Sequence, residues 1–273
     1  MSRDITLLQN KSLQLRKDVF EMIYNAQSGH VGGSFSIIET LVALYFDTMK
    51  CDPKNPHDPD RDRFVLSKGH TAPAIYAVLA EAGFYPKTWL MDSFRTINAK
   101  LQGHPDMKKT PGIDMTSGSL GIGLSAANGM ALAGKVKGKS YNVYCMMGDG
   151  EINEGQIWEA AATAAHFGLD NVIAFVDVNG LQNDGKTVDV KNMGDIAEKW
   201  RSFGWYVQEI DGHNFDEIFA AIDNAKACKK RPSVIVQHTV KGKGLSFAEN
   251  CVVWHGKTPN KDEYLAAMKE LCQ

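Results

Sequence analysis

The chain has 273 residues, of which 44% are apolar and 23% are charged, and its formal net charge at pH 7 is −2. This composition is sufficient for a large hydrophobic core, and the absence of a lysine- and arginine-rich block argues against nucleic-acid binding. No apolar run approaches the ~20 residues that span a bilayer, and the N-terminus does not read as a signal peptide. The five scattered cysteines are typical of free thiols rather than of disulfides or a zinc site. We therefore expect a protein of the cytoplasm that does not contact membranes.

The hydrophobic pattern predicts helices that alternate with short strands. Helical spacing of apolar residues occurs in residues 7–26, 36–49, 75–82, 121–134, 155–167, 192–202, 215–227 and 261–271. Short apolar runs predict strands at residues 64–66, 142–147, 172–177, 205–210 and 233–238. Segments rich in glycine, proline or aspartate predict turns and loops at residues 28–33, 51–62, 110–119 and 241–259. This alternation indicates an α/β fold, a parallel sheet with helices on both faces.

Polar, glycine-rich loops follow the predicted strands. They read SKGH (67–70), GDGEINEG (148–155), DVNGLQNDG (177–185), DGHN (211–214) and HTVKGKG (238–244). Ligands of such sheets bind beyond the carboxyl ends of the strands, so we expect these loops to converge on one crevice. A nicotinamide site is poorly supported, because the best GxGxxG match, residues 118–123, follows a loop, and no Walker A sequence occurs.

Two oxygen-bearing side chains lie at the ends of successive predicted strands. Asp149 closely follows the strand 142–147, and Asn179 closely follows the strand 172–177. Neighbouring parallel strands are ~4.8 Å apart, which lets a carboxylate and an amide oxygen share one cation. Mg²⁺ prefers such ligands and usually keeps phosphate oxygens as well, so an acidic turn could bind phosphate through the metal. A plain turn or helix cap is the alternative for an isolated Gly-Asp-Gly sequence.

Eight segments resemble those of transketolases and occur in the order found in that family. They are SGHVGGSFS (28–36), LSKGH (66–70), GHPD (103–106), SGSLGIG (117–123), GDGEINEGQIWEA (148–160), DVNGLQNDG (177–185), DGHN (211–214) and WHGKTP (254–259). GDG followed by 28 residues and Asn179 resembles the thiamine diphosphate-binding motif, and the Asn179-Gly180 ending is common in transketolases. The resemblance implies the thiamine diphosphate-binding fold, with thiamine diphosphate and Mg²⁺ as cofactors and Ca²⁺ or Mn²⁺ as substitutes for Mg²⁺.

The same resemblance implies roles for individual residues. The metal ligands are expected to be Asp149, Asn179 and the backbone carbonyl of Leu181. Cofactor contacts are expected from His70, Gly118, Ser119, Leu120, Asp149, Gly150, Glu154, Asn179 and His255, with the Gly150 N–H donating to the diphosphate. The expected catalytic residues are His30, His70, His104, Glu154 and His255. Among these, His30 and His104 are expected to contact hydroxyls of the donor sugar. Glu154 is expected near the subunit interface, linked to a catalytic glutamate of the partner, whereas Glu151 receives no role.

Four of the eight histidines also stand out by their own sequence context. His30, His70, His104 and His255 each adjoin a glycine in a predicted turn, and a neutral histidine can donate to or accept from a sugar hydroxyl. A transition-metal site is the alternative, although no HxH or HxxxH spacing supports it. The helix 215–227 begins after Asn214, a favourable N-cap residue, and we also expect His213, just before it, to act as a cap.

In the transketolase family, a glutamate from a second domain deprotonates the cofactor, and that domain is missing here. The resemblance therefore implies one diphosphate-binding domain, residues 1–273, that is the N-terminal subunit of a split transketolase. We expect its partner to be a C-terminal subunit, with two copies of each chain in a heterotetramer, and we expect sugar phosphates as substrates. The expected reaction moves a two-carbon ketol unit from a ketose phosphate to an aldose.

Two alternatives to this function remain at this point. The chain could be the alpha subunit of a thiamine-dependent 2-oxo acid dehydrogenase, although the GH, GHPD and WHG loops argue against it. It could also be a non-catalytic binding subunit. Segments 121–134 and 160–165, which are rich in small residues, are candidate subunit interfaces, and tight core packing explains them equally well.

Overall fold

The structure, a computed structural model, describes residues 3–272. Its α-helices are α1 Ile5–Ala26, α2 Val31–Phe35, α3 Ile38–Ala43, α4 Ala72–Glu81, α5 Thr88–Asp92, α6 Gly123–Val136, α7 Gly155–His166, α8 Thr187–Lys191, α9 Ile196–Ser202, α10 Phe215–Ala227 and α11 Lys261–Leu271. Its strands are β1 Arg63–Leu66, β2 Val143–Gly148, β3 Val172–Val178, β4 Leu181–Gln182, β5 Gly185–Lys186, β6 Tyr206–Asp211 and β7 Ser233–His238. A π-helical turn, Leu44–Thr48, continues α3, and 3₁₀ turns occur at Gly69–Thr71, Glu151–Asn153 and Val252–His255.

Five strands form one parallel sheet in the order β1-β2-β3-β7-β6. Because all of them run in the same direction, their carboxyl ends lie along one edge of the sheet. β2 and β3 are neighbours, with Gly148 opposite Asp177. The loops that follow these two strands are therefore adjacent, as the sequence predicted. β4 and β5 form a separate antiparallel hairpin directly after β3.

Successive residues of the central strands point into two different hydrophobic cores. Tyr144 and Met146 of β2 pack with α1, α3, α4 and α10 on one face of the sheet. Val143, Cys145 and Met147 pack with α6, α7 and α9 on the other face. This is the two-residue alternation of a strand that is buried on both sides. The predicted fold class, a parallel sheet with helices on both faces, is confirmed.

Each predicted strand is found within one residue of its expected bounds, and the predicted helix 36–49 is found as α3 Ile38–Ala43 and its π-helical continuation Leu44–Thr48. The sequence did not predict α2, which precedes that helix and begins inside the expected glycine turn 28–33. A Cβ on Gly33 would lie 3.0 Å from the side chain of Thr71. Gly33 therefore permits close packing of α2, although the glycine content of this segment is typical of a turn.

Several short elements were not predicted, namely α5, α8 and the hairpin of β4 and β5. The hairpin strands have two residues each, too few to show a hydrophobic period. Within residues 3–272, none of the helices combines the length and the apolar character that crossing a membrane requires.

Candidate functional site

A cavity of about 390 Å³ opens at the carboxyl edge of the sheet. Its walls come from the loops after β1, β2, β3 and β7, the turn before α2 and the 3₁₀ turn Val252–His255. Of the residues predicted for the site, those that line the cavity are His30, His70, Gly118, Leu120, Asp149, Gly150, Asn179, Leu181 and His255. Ser119, His104 and Glu154 lie outside this lining and are exposed.

Asp149 connects the ends of β2 and β3. Its carboxylate oxygens accept hydrogen bonds from the Gly150 and Gly180 N–H groups, both at 2.8 Å. Burial and the nearby carboxylate of Asp177 raise the pKa of Asp149 to about 6, and a bound cation would offset both effects. The expected use of the Gly150 N–H differs here, because it donates to Asp149 and so helps to orient the carboxylate.

Asn179 is oriented by a buried carboxylate that the sequence did not point to. Its amide nitrogen donates to Asp177 Oδ2 at 2.9 Å, and its Oδ1 accepts from the Leu181 N–H at 3.1 Å. The amide oxygen keeps a free lone pair for a cation. Asn179 thus presents an oxygen from the strand end that adjoins Asp149.

Asp177 itself is fully buried and multiply hydrogen-bonded. It accepts from Lys68 Nζ at 2.5 Å and Ser36 Oγ at 2.7 Å, and from the Thr239 hydroxyl. Burial alone would raise the pKa of Asp177, but the Lys68 ammonium lowers it below the usual value. Lys68 is 2% exposed and also donates to the Gly33 carbonyl at 3.0 Å.

Lys241 is a second buried ammonium group of the cavity, 2% exposed. It donates to the Leu181 carbonyl at 2.9 Å and lies 2.8 Å from His255 Nδ1. Burial and the charge of Lys68 lower the pKa of Lys241 to about 8, so it remains largely protonated at pH 7. His255 Nδ1 is then the acceptor, which places the proton of the neutral ring on Nε2.

Three histidine rings meet at the cavity wall. The ring centroids of His30, His70 and His255 are 5.2 to 5.4 Å apart. Burial, reinforced by neighbouring positive groups, lowers the pKa of His30 to about 4 and of His255 to about 3, and holds that of His70 well below its usual value. All three are neutral at pH 7, so each ring carries one donor and one acceptor nitrogen, and the acceptor of His255 is already used by Lys241. His30 Nδ1 is buried and has no hydrogen-bond partner among the described residues.

His104 stands beside this group rather than within it. A Cβ on Gly118 would lie 3.5 Å from its ring, so His104 backs the segment that lines the cavity. Burial and the Arg95 guanidinium lower the pKa of His104. The transition-metal alternative finds no support, since no three His, Cys, Asp or Glu residues within 3–272 lie close enough to hold one ion.

His213 was expected to cap α10, but it does not. Asn214 is the cap, as the sequence predicted, and its side chain accepts from the Asp216 and Glu217 N–H groups. His213 Nε2 instead accepts from the Val240 N–H at 2.9 Å, and its Nδ1 lies 3.0 Å from Glu39 Oε2. His213 therefore fixes the loop after β7, next to Lys241.

Sequence reasoning missed Lys68, Lys241 and Asp177. Each lies in one of the strand-end loops that were expected to converge, and both lysines adjoin a glycine. A lysine in a glycine-rich strand-end loop was the available signal, since such loops approach ligands closely.

The buried charges fit a metal-bound diphosphate better than a diphosphate alone. Two ammonium groups, Lys68 and Lys241, accompany three carboxylates, Asp149, Asp177 and Glu151, all of them at most 4% exposed. This leaves one net negative charge, and a divalent cation changes it to one net positive charge. The unpartnered His30 nitrogen and a close Gly150, whose Cβ would lie 3.0 Å from Gln182 Oε1, also suit a polar ligand. The residues therefore fit the expected cofactor and metal.

Comparison with known proteins gives one family. Residues 9–272 match the family model described as transketolase, thiamine diphosphate binding domain. The chain is 48% identical over 271 residues to 6-deoxy-6-sulfo-D-fructose transketolase subunit SqwG of Clostridium sp. (strain MSTE9), spanning 99% of this chain and 98% of that protein. It is 38% identical over 269 residues to one of the subunits of the apulose-4-phosphate transketolase of Phocaeicola vulgatus, spanning 98% of this chain and 95% of that protein.

Longer relatives match over less than half of their own length. Mouse transketolase is 43% identical over 253 residues, which are 92% of this chain and 40% of the mouse protein. The crystal structure of transketolase from Campylobacter jejuni subsp. jejuni NCTC 11168 superposes with a TM-score of 0.93 at 30% identity. It covers 99% of this chain and 43% of that one.

Proposed function

The chain belongs to the transketolase family, and from this membership we propose that it is the N-terminal subunit of a two-chain transketolase. The observation that carries the proposal is its match, over nearly their whole length, to relatives that are named as transketolase subunits. The proposed reaction transfers a two-carbon ketol unit from a ketose phosphate to an aldose. The 2-oxo acid dehydrogenase alternative is not favoured, because these relatives are all transketolases.

The proposed cofactor is thiamine diphosphate, which when bound supplies a nucleophilic carbon and an electron sink. Its diphosphate would lie among four residues that line the cavity, Lys68, Lys241, His70 and His255. The segment proposed to meet the aminopyrimidine consists of Gly118, Ser119 and Leu120. The two lysines extend the set of residues expected from the sequence. Their buried ammonium groups would donate charge-assisted hydrogen bonds to phosphate oxygens.

The proposed metal is Mg²⁺, for which Ca²⁺ or Mn²⁺ could substitute. Asp149, the Asn179 amide oxygen and the Leu181 carbonyl would supply the ligands, all of them oxygens as Mg²⁺ prefers. The Leu181 carbonyl also accepts from Lys241 at 2.9 Å, and its second lone pair remains for the metal. Asp177 and the N–H groups of Gly150 and Gly180 would hold these ligands in place.

The neutral histidines are the proposed contacts to the sugar. His30 and His104 would hydrogen-bond donor hydroxyls, and His70 and His255 would hold the diphosphate or the substrate beside it. Neutrality matters, because a neutral ring can both donate to and accept from a hydroxyl, whereas a protonated ring can only donate. The low pKa of His30 keeps both functions available at pH 7, whereas His255, whose Nδ1 accepts from Lys241, keeps its Nε2–H as a donor.

The second chain is proposed to be a C-terminal transketolase subunit that carries the pyrimidine-binding and C-terminal domains, with residues 1–273 forming the single diphosphate-binding domain. A heterotetramer with two copies of each chain would place the cofactor between unlike domains. Glu154, which is exposed beside the cavity, is proposed to meet the partner's catalytic glutamate. The five free thiols support a cytoplasmic location.

The donor sugar is proposed to carry an anionic group at the end away from its carbonyl. The relative named for 6-deoxy-6-sulfo-D-fructose is 48% identical, and that named for apulose 4-phosphate is 38% identical. The higher identity to the relative named for the sulfonated sugar favours testing a sulfonated ketose as donor, alongside the ketose phosphates. The substrate anion itself is expected to contact mainly the partner chain.

Calorimetry with thiamine diphosphate and Mg²⁺, with and without the partner chain, tests the proposal. We expect binding in the presence of the partner, and ketol transfer only by the two chains together. Failure of the cofactor to bind in both cases would contradict the enzymatic function and favour a non-catalytic binding subunit. Turnover of pyruvate or 2-oxoisovalerate instead of a ketose would favour the dehydrogenase alternative.

A further inference from the structure

Glu151, to which the sequence assigns no role, lies buried between three segments of the site. It begins the 3₁₀ turn that follows β2 and is 3% exposed. Its Oε1 accepts a hydrogen bond from the Gly121 N–H at 3.0 Å and another from the Ser67 hydroxyl. Its Oε2 accepts from the Gly148 N–H at 3.1 Å. Both oxygens of the carboxylate are therefore engaged.

The three donors come from separate parts of the chain. Ser67 directly follows β1, Gly148 ends β2, and Gly121 belongs to segment 118–122, which precedes α6. Burial raises the pKa of Glu151, and the hydrogen bonds from these three donors oppose the rise. A carboxylate suits this position because it accepts several hydrogen bonds and donates none.

Segment 118–122 packs closely against its surroundings, but within residues 3–272 only the Gly121 N–H of this segment donates a backbone hydrogen bond to them. Gly121 has a φ of 85°, and a Cβ there would lie 2.7 Å from the Glu154 Cβ. A Cβ on Gly123 would lie 2.7 Å from the Ser67 Cα. The Glu151 carboxylate is thus the acceptor that fixes the backbone of this segment.

We propose that Glu151 is a positioning residue for the cofactor site. It holds Gly118 and Leu120 at the cavity wall and couples their segment to the turn Gly148-Asp149-Gly150. It acts through these backbone groups rather than on the cofactor. The inference rests on the proposed function, in which Gly118 and Leu120 face the aminopyrimidine and Asp149 binds the metal.

Amide hydrogen exchange of the cofactor-free full chain, measured by NMR, tests the link directly. Glu151→Gln keeps the side-chain shape but turns one acceptor into a donor that faces an N–H or O–H donor. We expect exchange at Gly121 to accelerate roughly tenfold or more, whereas the exposed control Glu198→Gln leaves it unchanged. Unaltered exchange at Gly121 in Glu151→Gln would overturn the proposal. If that variant does not fold, Glu151→Asp, which keeps the charge but withdraws it by one methylene, gives the same readout.

Ligand binding separates positioning of segment 118–122 from damage to the metal site. The probes are thiamine diphosphate and inorganic pyrophosphate, each with Mg²⁺. We expect Glu151→Gln to weaken binding of thiamine diphosphate roughly tenfold or more and binding of pyrophosphate by less than about threefold, because Asp149 and Asn179 remain. Equal losses for both probes would contradict the proposal. If the wild-type chain binds neither probe, alone or with its partner, the proposed function fails, and exchange at Gly121 still decides whether Glu151 holds the segment.

Discussion

Charged residues buried at the cavity all have hydrogen-bond partners, which explains why the fold tolerates them. Lys68 pairs with Asp177 at 2.5 Å, and Asp149 accepts two backbone N–H groups. An unpaired buried charge would cost several kcal/mol, and these contacts offset that cost. Unlike Asp177, Asp149 has no ammonium group in direct contact within residues 3–272, and its pKa is raised to about 6. It is therefore better placed than Asp177 to accept a cation.

Asp149→Ala should abolish Mg²⁺-dependent binding of thiamine diphosphate in the reconstituted complex while leaving the fold intact. The variant removes both the proposed metal ligand and the acceptor of the Gly150 and Gly180 N–H groups. Calorimetry measures the binding, and circular dichroism checks the fold. Asp189→Ala, in the exposed helix α8, is the matched control and should bind normally. Unchanged affinity in Asp149→Ala would show that the metal lies elsewhere.

At the residue scale, the sequence predicted the glycine-flanked histidines and the metal candidates, but it could not predict which charges are buried together. Asp177 falls at the end of a predicted strand, yet it orients Asn179. Lys241 is far from Leu181 in sequence, and their contact arises only when the loop after β7 folds over the hairpin that follows β3. Such pairings depend on the order of strands in the sheet, which local periodicity does not reveal.

At the element scale, another buried carboxylate, Glu39 of α3, contacts side chains of other elements that pack behind the site. Arg16 of α1 contacts both of its oxygens, at 2.7 and 2.8 Å. His213 contacts Glu39 as well and accepts from the Val240 N–H. α1, α3 and the loop that carries Lys241 are therefore joined through one side chain.

Glu39→Gln should lower the free energy of unfolding by about 3 kcal/mol at pH 7. Burial raises the pKa of Glu39, but Arg16 and His213 outweigh it and lower the pKa to about 2. Since the folded-state pKa lies below the unfolded value, the carboxylate stabilises the fold above roughly pH 4.5. This contribution is lost as the pH falls toward about 2.

Urea denaturation at pH 7 and at pH 3 measures this difference between Glu39→Gln and the wild type. We expect it to shrink markedly at the lower pH. Glu198→Gln removes an exposed ion pair with Arg201 and should cost less than ~1 kcal/mol. A difference that does not change with pH would mean that packing, rather than charge, accounts for the effect of Glu39.

At the element scale, the regular strands and most long helices were predictable because each is buried in a repeating pattern. The exceptions have identifiable causes. α2 contains two glycines that permit close packing, and α9 begins at Ile196, after its Asp195 cap, rather than at residue 192. The hairpin β4–β5 is too short for any periodic signal. It nevertheless supplies Leu181, so a part of the site lies in an element that the sequence did not predict.

At the scale of the whole molecule, the surface formed by α6 and α7 beside the cavity is a candidate interface with the partner chain. A groove of about 310 Å³ runs between α6 and α7. Small residues along it include Gly129, Ala160 and Thr163, and the apolar Phe167 is 52% exposed. α6 directly follows the segment that carries Gly118, and α7 directly follows Glu154. The groove therefore continues from the part of the site that is proposed to meet the partner chain.

Gly129→Trp should weaken association with the C-terminal subunit while preserving the fold of this chain. A Cβ at Gly129 would meet no atom within 4 Å, and replacing a helical glycine usually stabilises a helix, by up to ~1 kcal/mol for alanine. The indole would instead fill the groove that the partner is proposed to occupy. Size-exclusion chromatography with light scattering on the mixed chains measures the assembly. Glu198→Trp, on the exposed side of α9, is the control and should assemble normally. If Gly129→Trp also forms the full complex at wild-type concentrations, the partner must dock on another face, and the small residues of α6 serve internal packing.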